Sequence, residues 1–240
     1  MRPARVVALV PAAGQGVRLG AGTAKAFVSL RGRPLLWHAV QALLASGGVE
    51  RVVVAVRDEY RQRAQAALCD LRPQGDLRQQ GDGVPRVDFV VGGEQRSDSV
   101  RHALDAVPDA EVVLVHDAAR CLTPVSVIRA VVDAVLAGHR AVVPVLPVVD
   151  TIKQVDPEGQ VVSTVDRSTL RVVQTPQGFA ADLLRLAHRQ PGAPVTDDAG
   201  LVERLGEPVA TVPGHPHAFK ITTPFDLLVA ESLAGRLPCE

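Results

Sequence analysis

Five short valine-rich runs, Arg5–Val10, Arg51–Val56, Val87–Val91, Val112–His116 and Arg140–Val145, punctuate the first part of the chain. Each is apolar at successive positions, so a strand made from it buries both faces, the pattern of a parallel sheet covered on either side by helices. Helical patterns fill the intervals: Pro34–Ser46 closed by Gly47, Asp58–Cys69, Arg96–Val107, and Pro124–Ala137 with Thr123 as N-cap and Gly138 as stop. This alternation implies right-handed crossovers and predicts a Rossmann-like, doubly wound α/β fold with a mostly parallel sheet. Its ligand crevice belongs beyond the carboxyl ends of the strands.

Leu146–Val173 departs from the alternation. Two β-prone stretches flank a turn at Asp156-Pro157-Glu158-Gly159, which predicts a projecting β-hairpin arm of the kind that makes dimer contacts. Helices recur near Ala181–Arg189, Asp197–Leu205 and Pro224–Leu233, so the arm, residues 146–173, is an excursion within one domain spanning 1–240. Between Pro73 and Pro85 the composition shifts to Gln, Gly, Asp and Arg, which reads as a surface insertion without chemistry of its own. The chain ends soon after the last helix, and the expectation is a single catalytic step with no fused second domain.

Composition narrows the partners. Lysine plus arginine total 26 and aspartate plus glutamate total 26, so no overall field favours nucleic acid or an anionic membrane, and any anion site must be local. Cys69, Cys121 and Cys239 are too scattered for a disulfide framework or a zinc site and read as reduced, cytoplasmic thiols. The run Val6–Val10 is too short for a signal-peptide core, and Ala141–Val149 is broken by Pro144 and Pro147. A small-molecule substrate is the expectation.

The first strand leads directly into Pro11-Ala12-Ala13-Gly14-Gln15-Gly16-Val17-Arg18-Leu19-Gly20, with Lys25 downstream. Small residues let backbone N–H groups approach a triphosphate, and Arg18 and Lys25 add fixed positive charge where phosphoryl oxygens gain negative charge. A dinucleotide-binding loop is disfavoured: Leu19 occupies the third glycine position, and no acidic residue between Pro34 and Leu44 is placed to hold a ribose. A Walker A loop fails too, because no Gly-Lys-Ser/Thr follows Gly16.

The loop resembles that of the nucleotidyltransferase superfamily. Further motifs follow: Gly92-Gly93-Glu94-Gln95-Arg96-Ser97-Asp98-Ser99-Val100, His116-Asp117-Ala118-Ala119-Arg120, Asp150-Thr151-Ile152-Lys153, Gln174-Thr175-Pro176-Gln177 and Phe219-Lys220-Ile221-Thr222. Their order and spacing resemble the 2-C-methyl-D-erythritol 4-phosphate cytidylyltransferase family and its ribitol 5-phosphate relatives over nearly the entire chain. Two departures stand out: Ala24 where a proline commonly precedes the lysine, and Cys121 where one commonly follows the arginine.

The resemblance implies transfer of CMP from CTP to a small polyol phosphate. Ala12, Ala13, Gly14, Gly16, Gly92, Gly93, Glu94, Ser99, Asp117 and Ala118 would surround CTP. Arg18, Lys25 and Lys220 would be catalytic. Asp117 would hold Mg²⁺, or another divalent cation, together with triphosphate oxygens. Arg120, Thr151 and Lys220 would grip the polyol phosphate, joined by Arg167 and Thr175 from a partner's arm in a homodimer.

Competing local readings exist. Ser97 and Ser99 sit near a helix start, where hydroxyls cap free N–H groups. Thr223-Pro224-Phe225-Asp226 reads as a capping box rather than a second metal site, and Thr196-Asp197-Asp198 reads as acids placed against a helix dipole. Ribitol 5-phosphate as the acceptor, and a CTP sensor without turnover, remain open as alternatives.

Overall fold

A computed structural model of the protein describes residues 4–14, 24–71, 86–191 and 195–235. Arg18, Gly16, Cys239 and the 73–85 insertion lie outside the described residues. Valine has a stiff χ1 and packs well on a pleated surface, and each of the five runs is a strand.

Strand β1 (Val6–Pro11) opens the sheet, followed by the small hairpin β2 (Ser29–Leu30) and β3 (Arg33–Pro34), helix α1 (Leu35–Ala45) and strand β4 (Arg51–Val56). Helix α2 (Arg61–Ala67), strand β5 (Arg86–Val91), helix α3 (Arg96–Asp105), strand β6 (Val112–Val115), helix α4 (Val125–Leu136) and strand β7 (Ala141–Pro147) continue the alternation. Strands β1, β4, β5 and β6 form a parallel core, with Val7 against Arg51 and Val112 against Val6.

The side chains of β1 divide between two layers. Val6, Ala8 and Val10 pack with residues of α1 and α4, whereas Val7 and Leu9 pack with those of α3 and α5 (Ala181–Arg189). Burial on both faces explains why the strands carry no polar alternation.

The arm is a separate hairpin, β8 (Ile152–Val155) and β9 (Val161–Val165), with nearly every residue exposed. Its turn uses Gly159 at φ 84°, where the absence of a side chain removes the steric cost, and Asp156 Oδ1 accepts from Gln160 N–H at 2.7 Å.

The chain returns through β10 (Arg171–Val173), β11 (Gln177–Ala180), helix α6 (Ala199–Glu203), strand β12 (Ala210–Pro213) and helix α7 (Pro224–Ala234). Val142 of β7 pairs with both Gly178 and Ala210, and Val145 with both Val173 and Pro213. Thus β10 and β11 run antiparallel along one side of β7 while β12 runs parallel along the other. The residues between β10 and β11 are Gln174, Thr175 and Pro176.

Three local expectations change. Thr123 does not cap α4: its hydroxyl donates to Arg120 O at 2.7 Å, and Pro124 occupies the N-cap position. The predicted helix Asp58–Cys69 is α helical only over Arg61–Ala67, between two 3-10 turns. The predicted helix Asp197–Leu205 contracts to α6: Asp198 directs its side chain to Arg96, while Asp197 accepts from Gln177 Nε2 and from Gly200 N–H at the helix start.

Candidate active site

The carboxyl ends of β1, β5 and β6 converge on a cleft of about 260 Å³ lined by Ala12, Ala13, Gly14, Lys25, Gly93, Glu94, Arg96, Ser99, Asp117, Ala118 and Lys220, among others. The floor is built from small residues for steric reasons. A Cβ on Gly92 would lie 2.6 Å from Ala13 Cβ and 3.0 Å from Ser99 Oγ, and one on Gly93 would lie 2.2 Å from Asp98 Cβ. These glycines let the end of β5 close against the first loop and α3. Ser99 Oγ accepts from Gly93 N–H at 3.1 Å, fixing the loop. The helix cap is a Gln95/Asp98 box, so Ser99 is released from capping.

Lys25 begins a 3-10 turn whose next residues, Ala26 and Phe27, are buried, so the turn is nailed to the core while Lys25 lines the cleft. Lys220 enters from the far side. The following Ile221 is buried, and its N–H donates to Ala119 O at 2.9 Å, tying this segment to the loop after β6.

Asp117 lies between cations. Its Oδ2 is 2.7 Å from Lys220 Nζ and its Oδ1 is 3.1 Å from Arg96 Nε. Burial opposes ionisation, yet Arg96 and Lys220 outweigh it and hold the carboxyl well below the usual carboxylate range. The neighbouring His116 is fully buried, and that burial pushes its pKa down to about 4, so it is neutral at pH 7.

Thr175 requires a correction. It lies in the break between β10 and β11 of the same chain, not on an arm, and is buried. Its hydroxyl accepts from Asp117 N–H at 3.0 Å and shares a hydrogen bond with His116 Nδ1 at 3.0 Å. The group is consumed by supporting Asp117. Its motif neighbours act alike: Gln174 clamps the backbone of His215 at both N–H and C=O, and Gln177 accepts from Ala199 N–H and donates to Asp197 Oδ2.

The other expected residues divide. Ala12, Ala13, Gly14, Lys25, Gly93, Glu94, Ser99, Asp117, Ala118 and Lys220 line the cleft, and Gly92 packs beneath it. Arg120 does not line it: the guanidinium donates to Ala218 O at 2.7 Å and Val173 O at 3.2 Å, bracing two loops. Thr151 and Arg167 lie on the arm, where Arg167 donates to Val149 O. Cys121 fills the position of the expected proline and packs with Leu30, Leu35 and Ile221; burial pushes its thiol up to about 12, leaving it inert at neutral pH. Asp226 is the predicted capping residue of α7, accepting from Thr222 and Thr223.

The sequence matches the family model for 2-C-methyl-D-erythritol 4-phosphate cytidylyltransferase over residues 6–236. The chain belongs to this cytidylyltransferase family. Family members so named from Saccharopolyspora erythraea and Nocardia farcinica are 58% and 56% identical over 232 and 231 residues, covering 95% and 96% of this chain and 98% and 94% of their own. The crystal structure of the Thermus thermophilus enzyme of that name superposes with a TM-score of 0.73 at 38% identity, covering 96% of this chain and 99% of that one. A synthase structure from Anaerococcus prevotii reaches a TM-score of 0.81 at 24% identity over 98% of this chain and 100% of that one, a likeness of fold.

Arg96, which lines the cleft of this cytidylyltransferase, and Asp198, which pairs with it, are residues that sequence reasoning missed. Asp198 Oδ2 is 2.6 Å from Arg96 Nη1, and Asp198 Oδ1 is 3.2 Å from His188 Nε2. Arg96 stood within a recognised motif, but its partner is 102 residues away, and no local pattern joins them.

For a metal ion the fit is narrow. Among the described residues no three His, Cys, Asp or Glu side chains form a cage. Mg²⁺ takes few protein carboxylates and fills its remaining positions with phosphate oxygens and water. An ionised Asp117 facing a cleft fits that role as a single protein ligand.

Proposed function

We propose that the chain transfers the cytidylyl group of CTP to 2-C-methyl-D-erythritol 4-phosphate, releasing pyrophosphate. The observation that carries this reading is the small-residue cleft that Lys25 and Lys220 both line, with the ionised Asp117 2.7 Å from Lys220. A substrate phosphate oxygen attacks the α-phosphorus, a new P–O bond forms, and the bond to the β-phosphate oxygen breaks with its electron pair. The phosphate is already ionised near neutral pH, so no general base is required. The protein contributes position and fixed charge.

In this scheme Ala13 and Gly14 approach the triphosphate through backbone N–H groups, Ala12 N–H being held by Ala55 O at 2.8 Å, and Gly93, Glu94 and Ser99 border the nucleoside. Lys25, with Arg18 by family resemblance, neutralises charge on the phosphates. Lys220, held by Asp117 at 2.7 Å, meets the incoming phosphate. Asp117 would hold Mg²⁺, which supplies further charge neutralisation when bound.

Thr151 and Arg167 lie on the projecting arm and would reach the polyol phosphate in a second copy's cleft. A homodimer is supported by the apolar side chains that the arm exposes, among them Val149, Val155, Val161 and Val162. No described helix is long and apolar enough to cross a membrane, and the inert, buried Cys121 suits a reducing cytoplasm.

Pyrophosphate release with CTP, Mg²⁺ and either 2-C-methyl-D-erythritol 4-phosphate or ribitol 5-phosphate tests the reading. Methylerythritol-dependent release, abolished in Lys25→Ala without loss of fold, is expected from a preparation that sediments as a dimer. Preference for ribitol phosphate moves the chain to its relatives, and CTP binding without release identifies a sensor.

A further inference from the structure

Asp198 is a carboxylate buried without a local reason. It occupies the N-cap position of α6, yet its side chain caps nothing and is only 2% exposed. One oxygen faces Arg96 and the other faces the buried His188 of α5. Burying such a charge is costly, and a buried ion pair seldom stabilises a fold more than apolar packing of the same volume. What the pair achieves is geometric. An arginine beside a lone carboxylate tends to dock with two parallel N–H donors on both oxygens. Here Asp198 holds Nη1, so Arg96 meets Asp117 with Nε alone. Asp117 therefore keeps Oδ2 for Lys220 at 2.7 Å. Arg96 makes its two ion pairs through Nε and Nη1, so Nη2 lies outside both, on a side chain that lines the cleft.

We propose that Asp198 is a positioning residue, which with His188 behind it holds the Arg96 guanidinium to Asp117 through Nε alone and presents Nη2 to the phosphates of the nucleotide. The role rests on the cytidylyltransferase reading and adds a residue outside the cleft to its machinery. Loss of Asp198 lets Arg96 fold onto both oxygens of Asp117, displacing Lys220 and withdrawing Nη2.

The test is a double-mutant cycle of Asp198→Ala and Asp198→Asn, each alone and combined with Arg96→Ala. Turnover and CTP affinity by titration calorimetry are both read, with thermal unfolding as the check on folding. Asp198→Ala is expected to lower kcat by about 10-fold or more, as small misplacements at a reacting centre do, and to weaken CTP binding. Asp198→Asn, which keeps the shape and one acceptor, falls between it and the wild type. Neither substitution has a further effect once Arg96 is alanine, because the path through Arg96 is then gone. The proposal is overturned if both variants stay within about twofold of the wild type, or if their losses persist undiminished in the Arg96→Ala background. If the alanine variant does not fold, the asparagine arm decides by the same criteria. A wild type that binds CTP but releases no pyrophosphate sinks the transferase reading and leaves the affinity cycle to judge Asp198.

Discussion

Replacing Thr175 with valine preserves its shape and removes one oxygen. That oxygen satisfies Asp117 N–H and bonds to His116 Nδ1, each at 3.0 Å in a buried setting. A buried polar group stripped of its hydrogen bond costs about 1–3 kcal/mol. His116 is neutral, so its lost bond belongs at the lower end, and the two together give about 2–4 kcal/mol. Each kcal/mol moves the Tm of a chain this size by about 2–4 °C, so Thr175→Val should melt about 4–16 °C below the wild type. Thermal unfolding of the wild type, Thr175→Val and Thr175→Ser checks this, with serine recovering most of the loss. A second reading comes from kinetics. With its main-chain anchor gone, Asp117 drifts, so kcat falls while KM for the polyol phosphate holds. A valine variant that melts within about 1 °C of the wild type, with KM for the polyol phosphate raised instead, refutes the reasoning and returns Thr175 to the substrate.

Two further outcomes follow from local geometry. Asp226→Ala removes the α7 cap and should cost about 1 kcal/mol at pH 7. Burial opposes ionisation of Asp226, but the bonds from Thr222 and Thr223 hold its pKa down to about 2. The folded value lies below the unfolded value of about 3.9, so the benefit is complete above that value and is lost as pH falls towards 2; denaturant titrations at several pH values should show the gap between wild type and variant closing on acidification. Gly92→Ala places a methyl 2.6 Å from Ala13 Cβ and 3.0 Å from Ser99 Oγ, and overpacking of this kind costs about 1–3 kcal/mol. Its KM for CTP should rise with the loss of stability, and wild-type values for both would show that the floor of the cleft yields freely.

Much of this architecture is legible in the chain because its signals are local. Valine runs buried on two faces can only be interior strands, and Asp-Pro-Glu-Gly between β-prone stretches marks the arm. Lys25, Asp117 and Lys220 were legible because their motifs resemble those of a known family. The remainder depends on contacts between distant segments. Thr175 reads as a substrate-binding hydroxyl until the break between β10 and β11 turns it inward. Thr196-Asp197-Asp198 has the composition of a helix start, and only the approach of α3 shows that Asp198 is the counter-ion of Arg96.

The segment Gln174–Gln177 bears on how the protein comes apart. Its three polar side chains hold three separate loops: the one before Lys220, the one carrying Asp117 and the one carrying Asp198. Ile221 and Arg96 tie the same loops to one another, through Ala119 and through the two aspartates. Fluctuations that lift this segment from β6 and β7 therefore loosen all three together, so amide hydrogens across them should exchange with a shared opening free energy. Heating would then abolish catalysis in a single step while the parallel strands β1, β4 and β5 remain protected.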